Sequence, residues 1–561
     1  MCSDPSPDLS NSRYLYKIYK IKEGIEAKLF KGPLLKKVTE NSHCSIVLSE
    51  ISGNISDFRN YPKISVIKDT AQQEPSHALN QAMRIHEEWR QYGRLPTLLR
   101  ANEIDMGEVL RVESVLKLYM AIKEIDKADR LLAKENPDAV YVQGTSLESK
   151  AFYHTSRYHQ IESKFVQPKI WRDIEQKTKN HLSILTRKKL FENMGVYKIT
   201  NDLRKKYVVL ASVPYINYLT AVLPVLDQLS DQNLCDIYIF GRDSDIAQKI
   251  DCARKVDITN PDTKGYERIA KELRSYYTSE LKHDPRFQDL FKYNGINMLE
   301  ILHNDMEQLL ERDYIILGSN AAYFMEVLQK IKPDILIVGS EATTVNWGHV
   351  LLAKSKGIPI LEVQHGIFTH LTPVLPPISD KCAVGGDYYK EIYLKGGAKK
   401  DQVIVTGWPK FDSLAAQSKR DLFKNHKKVL FATQPPDLDL NLKTIETIGT
   451  CFDHLNGMYL IVKPHPAEDP KAYTKVCALF KSVVLCSNQE NTTSLVAAAD
   501  VLITVSSTVA IEAVLLDKPI VCLNMSNDEL IYISSGVALN VTKYEDIVPA
   551  IKDALHNDEI V

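Results

Sequence analysis

The sequence predicts an α/β protein with two domains built around parallel β-sheets. Over about the last 350 residues, short β-branched runs alternate with longer amphipathic stretches, a pattern typical of parallel strands joined by crossover helices. Of the 561 residues, 44% are hydrophobic and 25% are charged, as in ordinary soluble globular proteins. Ten candidate strands occur in this region, which is more than one doubly wound sheet comfortably holds. Two sheets are therefore expected, and the length fits three or four domains of about 150 residues.

The candidate strands are rich in Val, Ile, Leu and aromatic residues and are bounded by Gly, Pro, Asp or Ser. They lie at residues 206–213, 235–241, 334–340, 359–364, 401–407, 427–434, 458–465, 482–487, 500–507 and 519–524. In the first 200 residues the sequence predicts strands at 45–51 and 138–144 and helical stretches at 77–134 and 174–194.

A proline-rich segment marks the expected boundary between the two sheets. Pro373, Pro376 and Pro377 lie between candidate strands, and such a segment is typical of a crossing between domains. The predicted division is an N-terminal α/β extension over 1–204, a first Rossmann-like domain over 205–372 and a second over 373–561. We expect the extension to pack on the first domain or to be partly woven into it.

Charge and cysteine content exclude several classes of function. Seventy Lys and Arg balance 71 Asp and Glu, which disfavours dedicated nucleic-acid binding. The nine Cys form no CxxC pair, so neither a disulfide framework nor a zinc site is predicted. No apolar run of about 18 residues occurs, and the polar start lacks a signal core. A cytoplasmic protein is expected, with peripheral association at the inner face of the membrane left open.

The candidate strand at 458–465 ends in a rigid turn that presents a histidine. Pro464 and Pro466 bracket His465, and Lys463 precedes them. Proline fixes the backbone, so the ring is held at the carboxyl end of the strand, where ligands of parallel sheets bind. The turn therefore predicts a contact with a phosphate or a nucleotide edge. A loop histidine without a ligand is the alternative interpretation.

A run of hydroxyl residues follows the candidate strand at 500–507. Ser506, Ser507 and Thr508 lie where a helix begins, and hydroxyls with free backbone N–H groups at a helix start favour an anion. We predict a phosphate there, unless the residues only cap the helix. Glu512, one turn into the helix, is placed to accept the two hydroxyls of a ribose or to interact with the helix terminus.

Two further strand ends carry polar residues beside glycines. Gln364, His365 and Gly366 follow one candidate strand, and Gly407 and Lys410 follow another. Glycine lets the backbone approach a ligand closely. The order QHG, TGWPKFD, KPHP and SST along the chain is more specific than any one of these elements.

With these elements in this order, the sequence resembles the GT-B glycosyltransferase and sugar-nucleotide superfamily over about residues 205–555. It is most similar to the surface-polysaccharide branch, which includes capsule and lipopolysaccharide sugar transferases, teichoic-acid-type glycerophosphotransferases and non-hydrolysing UDP-N-acetylglucosamine 2-epimerases. The resemblance implies two Rossmann-like domains facing across a cleft, with the acceptor on the first. It places the nucleotide of a nucleotide-sugar donor on the second, at Lys463, His465, Ser506, Ser507, Thr508 and Glu512.

The resemblance implies a metal-independent glycosyltransferase that moves a sugar from a nucleotide-sugar donor to a surface polysaccharide or a lipid-linked glycan. The stretch SSTVAIEA replaces the glycine-rich turn and paired glutamates of the 2-epimerases, and QHGI replaces the tryptophan-histidine-glycine-threonine element of the glycerophosphotransferases. A 2-epimerase-like enzyme, a polyol-phosphate (CDP-glycerol type) transferase and a non-catalytic scaffold of the same fold are the alternatives. The nucleotide base, the sugar and the acceptor stay open.

Sugar transfer with inversion needs a carboxylate or an imidazole beside the acceptor hydroxyl. Glu341 directly follows a candidate strand and is therefore the predicted base, expected at the cleft. A carboxylate that interacts with a helix dipole is its alternative role, and His365 is the competing base. The loop from Ser212 to Tyr215 either contacts a substrate or is an ordinary strand-to-helix turn.

Overall fold

The computed structural model describes residues 14–17, 44–47, 64–67, 75–101, 104–137, 139–143, 147–166, 194–200, 207–367, 375–412, 414, 426–434, 438–455, 457–465, 468–487, 490–505, 507–525 and 530–556. Two units are distinguished by their internal packing. The first contains the described residues up to 365 and then 375–409, and the second contains Gly366, Ile367 and the described residues from 410 onward.

A five-stranded parallel sheet begins the first unit. Its strands are β1 (Tyr14–Lys17), β2 (Cys44–Val47), β3 (Ile64–Ile67), β6 (Ala139–Gln143) and β7 (Glu162–Val166). They lie in the order β3-β2-β1-β6-β7. Two-residue strands β4 (Arg100–Ala101) and β5 (Ile104–Asp105) pair antiparallel.

Five helices accompany this sheet. They are α1 (Pro75–Trp89), α2 (Leu95–Leu98), α3 (Met106–Val109), α4 (Arg111–Glu135) and α5 (Leu147–Tyr158). Val115, Leu118, Ile122 and Ile125 of α4 recur at helical spacing and are buried in the largest hydrophobic core, as expected for a helix with one apolar face.

An eight-stranded sheet forms the centre of the first unit. Its strands are β8 (Met194–Lys198), β9 (Tyr207–Val213), β10 (Cys235–Arg242), β11 (Arg254–Val256), β14 (Ile335–Val338), β15 (Ile360–Val363), β16 (Lys381–Val384) and β17 (Val403–Val405). The order is β11-β8-β10-β9-β14-β15-β16-β17. The run from β10 to β17 is parallel, whereas β8 is antiparallel to both of its neighbours. Buried parallel strands read as continuous apolar runs, as in β9 and β14.

Helices connect these strands. They are α6 (Ile216–Asp231), α7 (Asp243–Lys249), α8 (Lys264–Ser279), α9 (Pro285–Leu290), α10 (Met298–Gln308), α11 (Tyr314–Ile331), α12 (Thr344–Ser355) and α13 (Asp387–Lys395). A 3-10 turn spans Leu281–His283, and a π-helical segment, Leu309–Asp313, joins α10 to α11. Strands β12 (Lys292–Tyr293) and β13 (Ile296–Asn297) form a small hairpin.

The second unit is a six-stranded, fully parallel sheet with helices. Its strands are β18 (Lys427–Ala432), β19 (Met458–Lys463), β20 (Val483–Leu485), β21 (Val501–Thr504), β22 (Ile520–Leu523) and β23 (Leu539–Val541), in the order β20-β19-β18-β21-β22-β23. The helices are α14 (Leu438–Phe452), α15 (Lys471–Cys477), α16 (Thr492–Ala498), α17 (Val509–Leu515), α18 (Ile531–Ser534) and α19 (Ile547–His556). Two 3-10 turns lie at Pro409–Phe411 and Tyr544–Asp546.

The ten strands predicted for the C-terminal region are all present, as are the two predicted near the N-terminus. Among the described strands, the sequence missed β1, β3, β7, β8, β11, β16 and β23 and the two-residue strands β4, β5, β12 and β13. The helical stretch predicted over 77–134 is confirmed as α1 to α4. The stretch predicted over 174–194 lies almost wholly outside the described residues.

The unit boundary differs from the division predicted at residues 372 and 373. Strands β16 and β17 follow that point, yet they pair with β15 and extend the first sheet. The continuous part of the second unit therefore begins at Lys410. The N-terminal helices α1 and α4 share one hydrophobic core with residues of β9, β10 and β14, so the described part of 1–204 belongs to the first unit. Within the described residues, no helix combines the length and apolarity needed to span a membrane.

Candidate functional site

In the second unit, the predicted nucleotide-binding residues lie at the carboxyl ends of neighbouring parallel strands. Lys463 and His465 end β19, and Ser507 and Thr508 follow β21. Strand β18 lies between β19 and β21. Since adjacent strands are about 4.8 Å apart, these two groups are separated by about 10 Å across the sheet edge. Ser506 lies outside the described residues.

The His465 turn is fixed by a carboxylate. The backbone N–H of His465 donates to Glu468 Oε2 at 2.9 Å and to Thr433 Oγ1 at 3.1 Å. Thr433, at the end of β18, donates its hydroxyl to the same Glu468 oxygen at 2.5 Å. This triangle ties the end of β19 to the end of β18.

The second oxygen of Glu468 is also held. Tyr473 of α15 donates its hydroxyl to Glu468 Oε1 at 2.6 Å, and Asn441 Nδ2 of α14 lies 3.3 Å from that oxygen. Asn441 Nδ2 also lies 3.0 Å from Tyr473 Oη. Four donors from four elements thus converge on one carboxylate, so the backbone at His465 is held from several sides.

Burial governs the electrostatics of this turn. It lowers the pKa of His465, and the charge of Lys463 lowers it further, while Glu468 opposes the shift. His465 is therefore neutral at neutral pH. Lys463 is 3% exposed, its Nζ donates to the Pro464 carbonyl at 3.2 Å, and burial lowers its pKa as well.

The hydroxyl run is partly engaged in local structure. Ser507 Oγ lies 3.4 Å from Val509 N, and the Ser507 carbonyl accepts the Tyr532 hydroxyl at 2.7 Å. Thr508 occupies the N-cap position of α17 without a hydrogen bond from its side chain to the cap. The capping interpretation therefore describes Ser507 better than Thr508.

Glu512 of α17 has one buried carboxylate oxygen, Oε2, that has no hydrogen-bond partner. Burial raises the pKa of Glu512, while a hydrogen bond from Thr493 and the charge of Lys410 lower it. Burial lowers the pKa of Lys410, and Glu512 opposes that shift. The Lys410 ammonium also lies 4.6 Å from the centre of the Phe411 ring. A buried acceptor without a donor is costly, which points to a ligand hydroxyl at this position.

In the first unit, His365 follows β15 at the carboxyl edge of the eight-stranded sheet. Its Nδ1 lies 3.0 Å from the carbonyl oxygen of Gly339, which follows β14. Its ring packs edge-on against Tyr218 at 4.1 Å between centroids. Gln364 is 3% exposed, and its Oε1 accepts from Gly385 N at 2.8 Å, so this side chain holds neighbouring strand ends together.

Glu341, which follows β14, is 1% exposed. Its Oε1 accepts from Ile378 N at 3.1 Å. Its Oε2 accepts from the Ser379 N–H at 3.0 Å and from the Ser379 hydroxyl at 2.5 Å. The carboxylate therefore anchors the segment that leads into β16. Its role as the catalytic base stays a prediction.

A second buried carboxylate lies beside Glu341. Glu362 of β15 accepts from Glu341 N at 3.1 Å and from the Tyr393 hydroxyl at 3.0 Å. Burial and the charge of Glu362 raise the pKa of Glu341 to about 8. Burial also raises the pKa of Glu362. These two buried carboxyl groups thus lie side by side inside the first unit.

The remaining predicted residues occupy varied positions. Ser212 is buried, and its Oγ lies 3.0 Å from Asn346 Oδ1 and 2.8 Å from His349 Nδ1, so it belongs to a core polar network. Gly407 adopts a φ of 76°, in the left-handed region that favours glycine. In the second unit, a Cβ added to Gly366 would lie 3.6 Å from Thr508 Cγ2.

A comparison of the sequence with models of known families identifies the family of the chain. A family model described as UDP-N-acetylglucosamine 2-epimerase matches residues 280–561, half of the chain. The chain belongs to the UDP-N-acetylglucosamine 2-epimerase family. The predicted relation to the sugar-nucleotide superfamily and its 2-epimerases is thereby confirmed, and the parallel sheets with their helices confirm the α/β class. This member of the 2-epimerase family is thus a sugar-nucleotide-related enzyme of the GT-B type.

Several solved structures are similar to this 2-epimerase family member. The UDP-GlcNAc 2-epimerase from Neisseria meningitidis, bound to UDP-GlcNAc, is 16% identical and has a TM-score of 0.42, covering 63% of this chain and 92% of its own. The UDP-GlcNAc 2-epimerase from Methanocaldococcus jannaschii is 14% identical, with a TM-score of 0.42 and coverages of 62% and 92%. A glycosyltransferase from Rickettsia africae is 15% identical, with a TM-score of 0.35 and coverages of 64% and 92%. No curated protein matches the chain significantly.

Sequence reasoning missed three features of this family member. The pairing of Glu341 with Glu362 depends on two strand ends brought together by the sheet. The convergence of Thr433 and Asn441 on Glu468 joins segments far apart in the chain. Arg242, which ends β10, has no motif around it. Of the three, only Arg242 could have been found from the sequence, because it is a cation placed directly after a predicted strand.

Proposed function

We propose that this protein is a glycosyltransferase that binds the nucleotide of a nucleotide-sugar donor in its second unit and transfers the sugar to a hydroxyl of a glycan or lipid-linked acceptor. The observation that carries the proposal is the buried, unpartnered Oε2 of Glu512 beside Lys410 at the carboxyl edge of a parallel sheet. Nucleotides bind at this edge in parallel α/β sheets.

Glu512 supplies the acceptor that a ribose requires. A ribose carries two adjacent hydroxyls, each of which donates one hydrogen bond, and a carboxylate accepts two such bonds. Lys410 contributes a positive charge close to the same carboxylate. The combination favours a ligand that offers hydroxyl donors and negative charge together, as a nucleoside diphosphate does.

The turn at Lys463 and His465 provides the partner for the phosphates. Neutral His465 donates one N–H, and Lys463 supplies a cation from a buried position. Glu468 fixes the backbone of this turn before any ligand binds. Donors held in advance stabilise charge that develops on a leaving group without a reorganisation cost.

The interaction of His365 with Gly339 supports His365 as the base. A carbonyl oxygen only accepts hydrogen bonds, so the contact with Gly339 places the imidazole proton on Nδ1. In the neutral ring Nε2 then carries the lone pair, and Nε2 is the atom that takes a proton. A backbone carbonyl that sets the tautomer in this way is typical of histidines that act as bases.

In the proposed reaction, His365 Nε2 removes the proton of the acceptor hydroxyl as its oxygen forms a bond to the anomeric carbon of the donor sugar. The bond between that carbon and the diphosphate oxygen breaks, and the electron pair leaves with the nucleotide. Lys410, Lys463 and His465 stabilise the diphosphate, and no metal ion is required. The configuration at the anomeric carbon inverts, because the two oxygens occupy opposite faces.

Nucleotide binding provides the direct test. Isothermal titration with UDP, CDP, CMP and GDP should give a Kd for at least one nucleotide, and His465→Ala should weaken that binding about tenfold or more. His454→Ala, a change in the loop that follows α14, is the matched control and should bind as the wild type does. If no nucleotide binds the wild type, the proposal fails.

A 2-epimerase activity is the second candidate, and the family match over residues 280–561 favours it. The two reactions differ in their need for an acceptor. Incubation with UDP-N-acetylglucosamine alone, followed by proton NMR of the sugar, should show no second epimer if the protein is a transferase. Conversion to the 2-epimer without an acceptor would replace the transferase proposal with this one.

A further inference from the structure

Arg242 ends β10 at the carboxyl edge of the first unit's sheet and stacks on a tyrosine. Its guanidinium carbon lies 5.2 Å from the centre of the Tyr215 ring. Its Nε is buried and donates no hydrogen bond. Within the part of the chain that the structure describes, no carboxylate lies within ion-pairing distance of Arg242. A buried N–H donor without a hydrogen-bond partner costs free energy, and an acceptor on a bound ligand would remove that cost.

The carboxylates that neighbour Arg242 in the chain form no ion pair with it. Asp243, the next residue, pairs through Oδ2 with Lys255 at 2.7 Å, and its buried Oδ1 has no hydrogen-bond partner. Asp245 accepts the Ser244 hydroxyl at 3.2 Å. Among the described residues, neither carboxylate pairs with Arg242, so the guanidinium can take an anion from a ligand.

A second arginine in the same unit shows the contrast. Arg94 stacks on Tyr276 at 5.3 Å, in nearly the same geometry as Arg242 on Tyr215. Its guanidinium, however, pairs with Glu272 at 2.8 Å. Of these two arginines, Arg94 has an ion-pair partner, whereas Arg242 has none among the residues that the structure describes.

The stacked arginine is connected to His365 by aromatic contacts. Tyr215 packs against Tyr218 at 5.4 Å between ring centroids, and Tyr218 packs against His365 at 4.1 Å. Tyr215 and Tyr218 lie at the start of α6, directly after β9, and Arg242 and His365 lie at the ends of β10 and β15. Ligands of parallel sheets bind at this edge. Aromatic faces of this kind also suit the apolar face of a sugar ring.

We infer that Arg242, stacked on Tyr215, is a subsite for an anionic group, a carboxylate or a phosphate, on the acceptor that the first unit binds. The inference rests on the proposed transferase function and deepens it: the acceptor is an acidic sugar or a phosphorylated one. A planar guanidinium binds either anion through paired N–H donors, and the tyrosine face holds it in place.

The test uses three small probes on the full-length protein. Methyl β-glucuronide carries a carboxylate, glucose 6-phosphate carries a phosphate, and methyl β-glucoside is neutral. Their Kd values are measured by saturation-transfer NMR for the wild type, Arg242→Gln and the matched control Arg94→Gln. We expect at least one anionic probe to bind more tightly than the neutral one, and Arg242→Gln to weaken it about tenfold, while Arg94→Gln leaves it unchanged.

Which of the three probes bind shows whether the anion on the acceptor is a carboxylate or a phosphate. Binding of the glucuronide alone identifies an acidic sugar, binding of the phosphate alone identifies a phosphorylated one, and binding of both supports the shared chemistry. Equal binding of anionic and neutral probes, or equal binding by wild type and Arg242→Gln, overturns the inference. Binding of glucose 6-phosphate that is lost in His465→Ala but kept in Arg242→Gln also overturns the inference. The probe would then occupy the nucleotide site proposed in the second unit.

UDP titration on the same samples distinguishes the two proposals. Arg242→Gln should bind UDP as the wild type does, since Arg242 belongs to the first unit. If UDP fails to bind the wild type while an anionic probe still depends on Arg242, the proposed transferase function fails and the anion subsite stands.

Discussion

The Nδ1 atom of His365 lies 3.0 Å from the carbonyl oxygen of Gly339. The two residues follow adjacent parallel strands, β15 and β14, so the pairing of the strands itself brings the imidazole to the carbonyl. A carbonyl oxygen accepts only, and the contact therefore fixes the proton on Nδ1. The buried carboxylate of Glu341, by contrast, is occupied by Ile378 and Ser379. Of the two candidate bases, His365 fits proton removal better.

Replacing His365 with Ala should therefore lower kcat by about 10² to 10⁴-fold, because the variant lacks the imidazole proposed to remove the acceptor proton. Nucleotide affinity should stay within about twofold of the wild type, since the nucleotide residues lie in the second unit. Steady-state kinetics beside a UDP titration measures both quantities. His283→Ala, an exposed histidine of the same unit, serves as the control. Turnover unaffected by the His365 change would assign the base elsewhere.

Glu512→Gln should weaken nucleotide binding about tenfold, because an amide accepts fewer hydrogen bonds from a ribose than a carboxylate does. The loss should be smaller for a ligand without ribose, such as inorganic pyrophosphate. Isothermal titration compares the two ligands. Glu545→Gln, an exposed glutamate of the same unit, is expected to change neither. Equal losses for UDP and pyrophosphate would argue against a ribose contact.

Glu468→Gln should destabilise the second unit and weaken nucleotide binding together. Donors face both oxygens of Glu468, and the amide of Gln turns an N–H₂ group toward one set of them. The unmet donors cost about 1–3 kcal/mol. Urea denaturation measures the free energy of unfolding. Asp469→Asn, on an exposed residue of the same turn, provides the comparison, and an unchanged midpoint for Glu468→Gln would show that the network contributes little.

The free energy of unfolding should fall as the pH rises from about 4.5 to about 8, through the titration of Glu341. Burial raises its pKa from the ordinary value of 4.5 to about 8 in the folded protein. In this interval the folded state holds a proton that the unfolded state has released, so alkali favours unfolding, with a slope of at most about 1.4 kcal/mol per pH unit. Urea denaturation across this range should show the slope as a difference between wild type and Glu341→Gln. Identical pH profiles would contradict the shift.

Removal of divalent metals should leave sugar transfer within about twofold of its starting rate. In the proposed mechanism Lys410, Lys463 and His465 neutralise the leaving diphosphate, so a metal is not needed for charge stabilisation. Turnover measured after dialysis against EDTA, with and without added Mg²⁺, tests this. A loss that Mg²⁺ restores would require a metal in the reaction.

Local patterns predicted much of the fold and part of the site. The buried parallel strands are recognisable because both of their faces are covered, so they read as apolar runs such as those around Leu336 and Ile503. The turn at His465 is recognisable because two prolines act on the backbone within four residues. Edge strands such as β17 are weaker signals, since Ile404 and Val405 are exposed and only one neighbour pairs with them.

The sequence by itself determined the α/β class, the order of the central strands and the strand ends at which polar residues such as His365 and His465 lie. These follow from hydrophobic period and turn chemistry, which act over a few residues. Only the tertiary structure decided that Glu341 is buried against Glu362 and Ser379 and that Glu468 accepts hydrogen bonds from Thr433, Asn441 and Tyr473. It also decided that Arg242 has no ion-pair partner among the described residues. Burial and pairing depend on which segments the sheets bring together, and these segments are far apart in the chain.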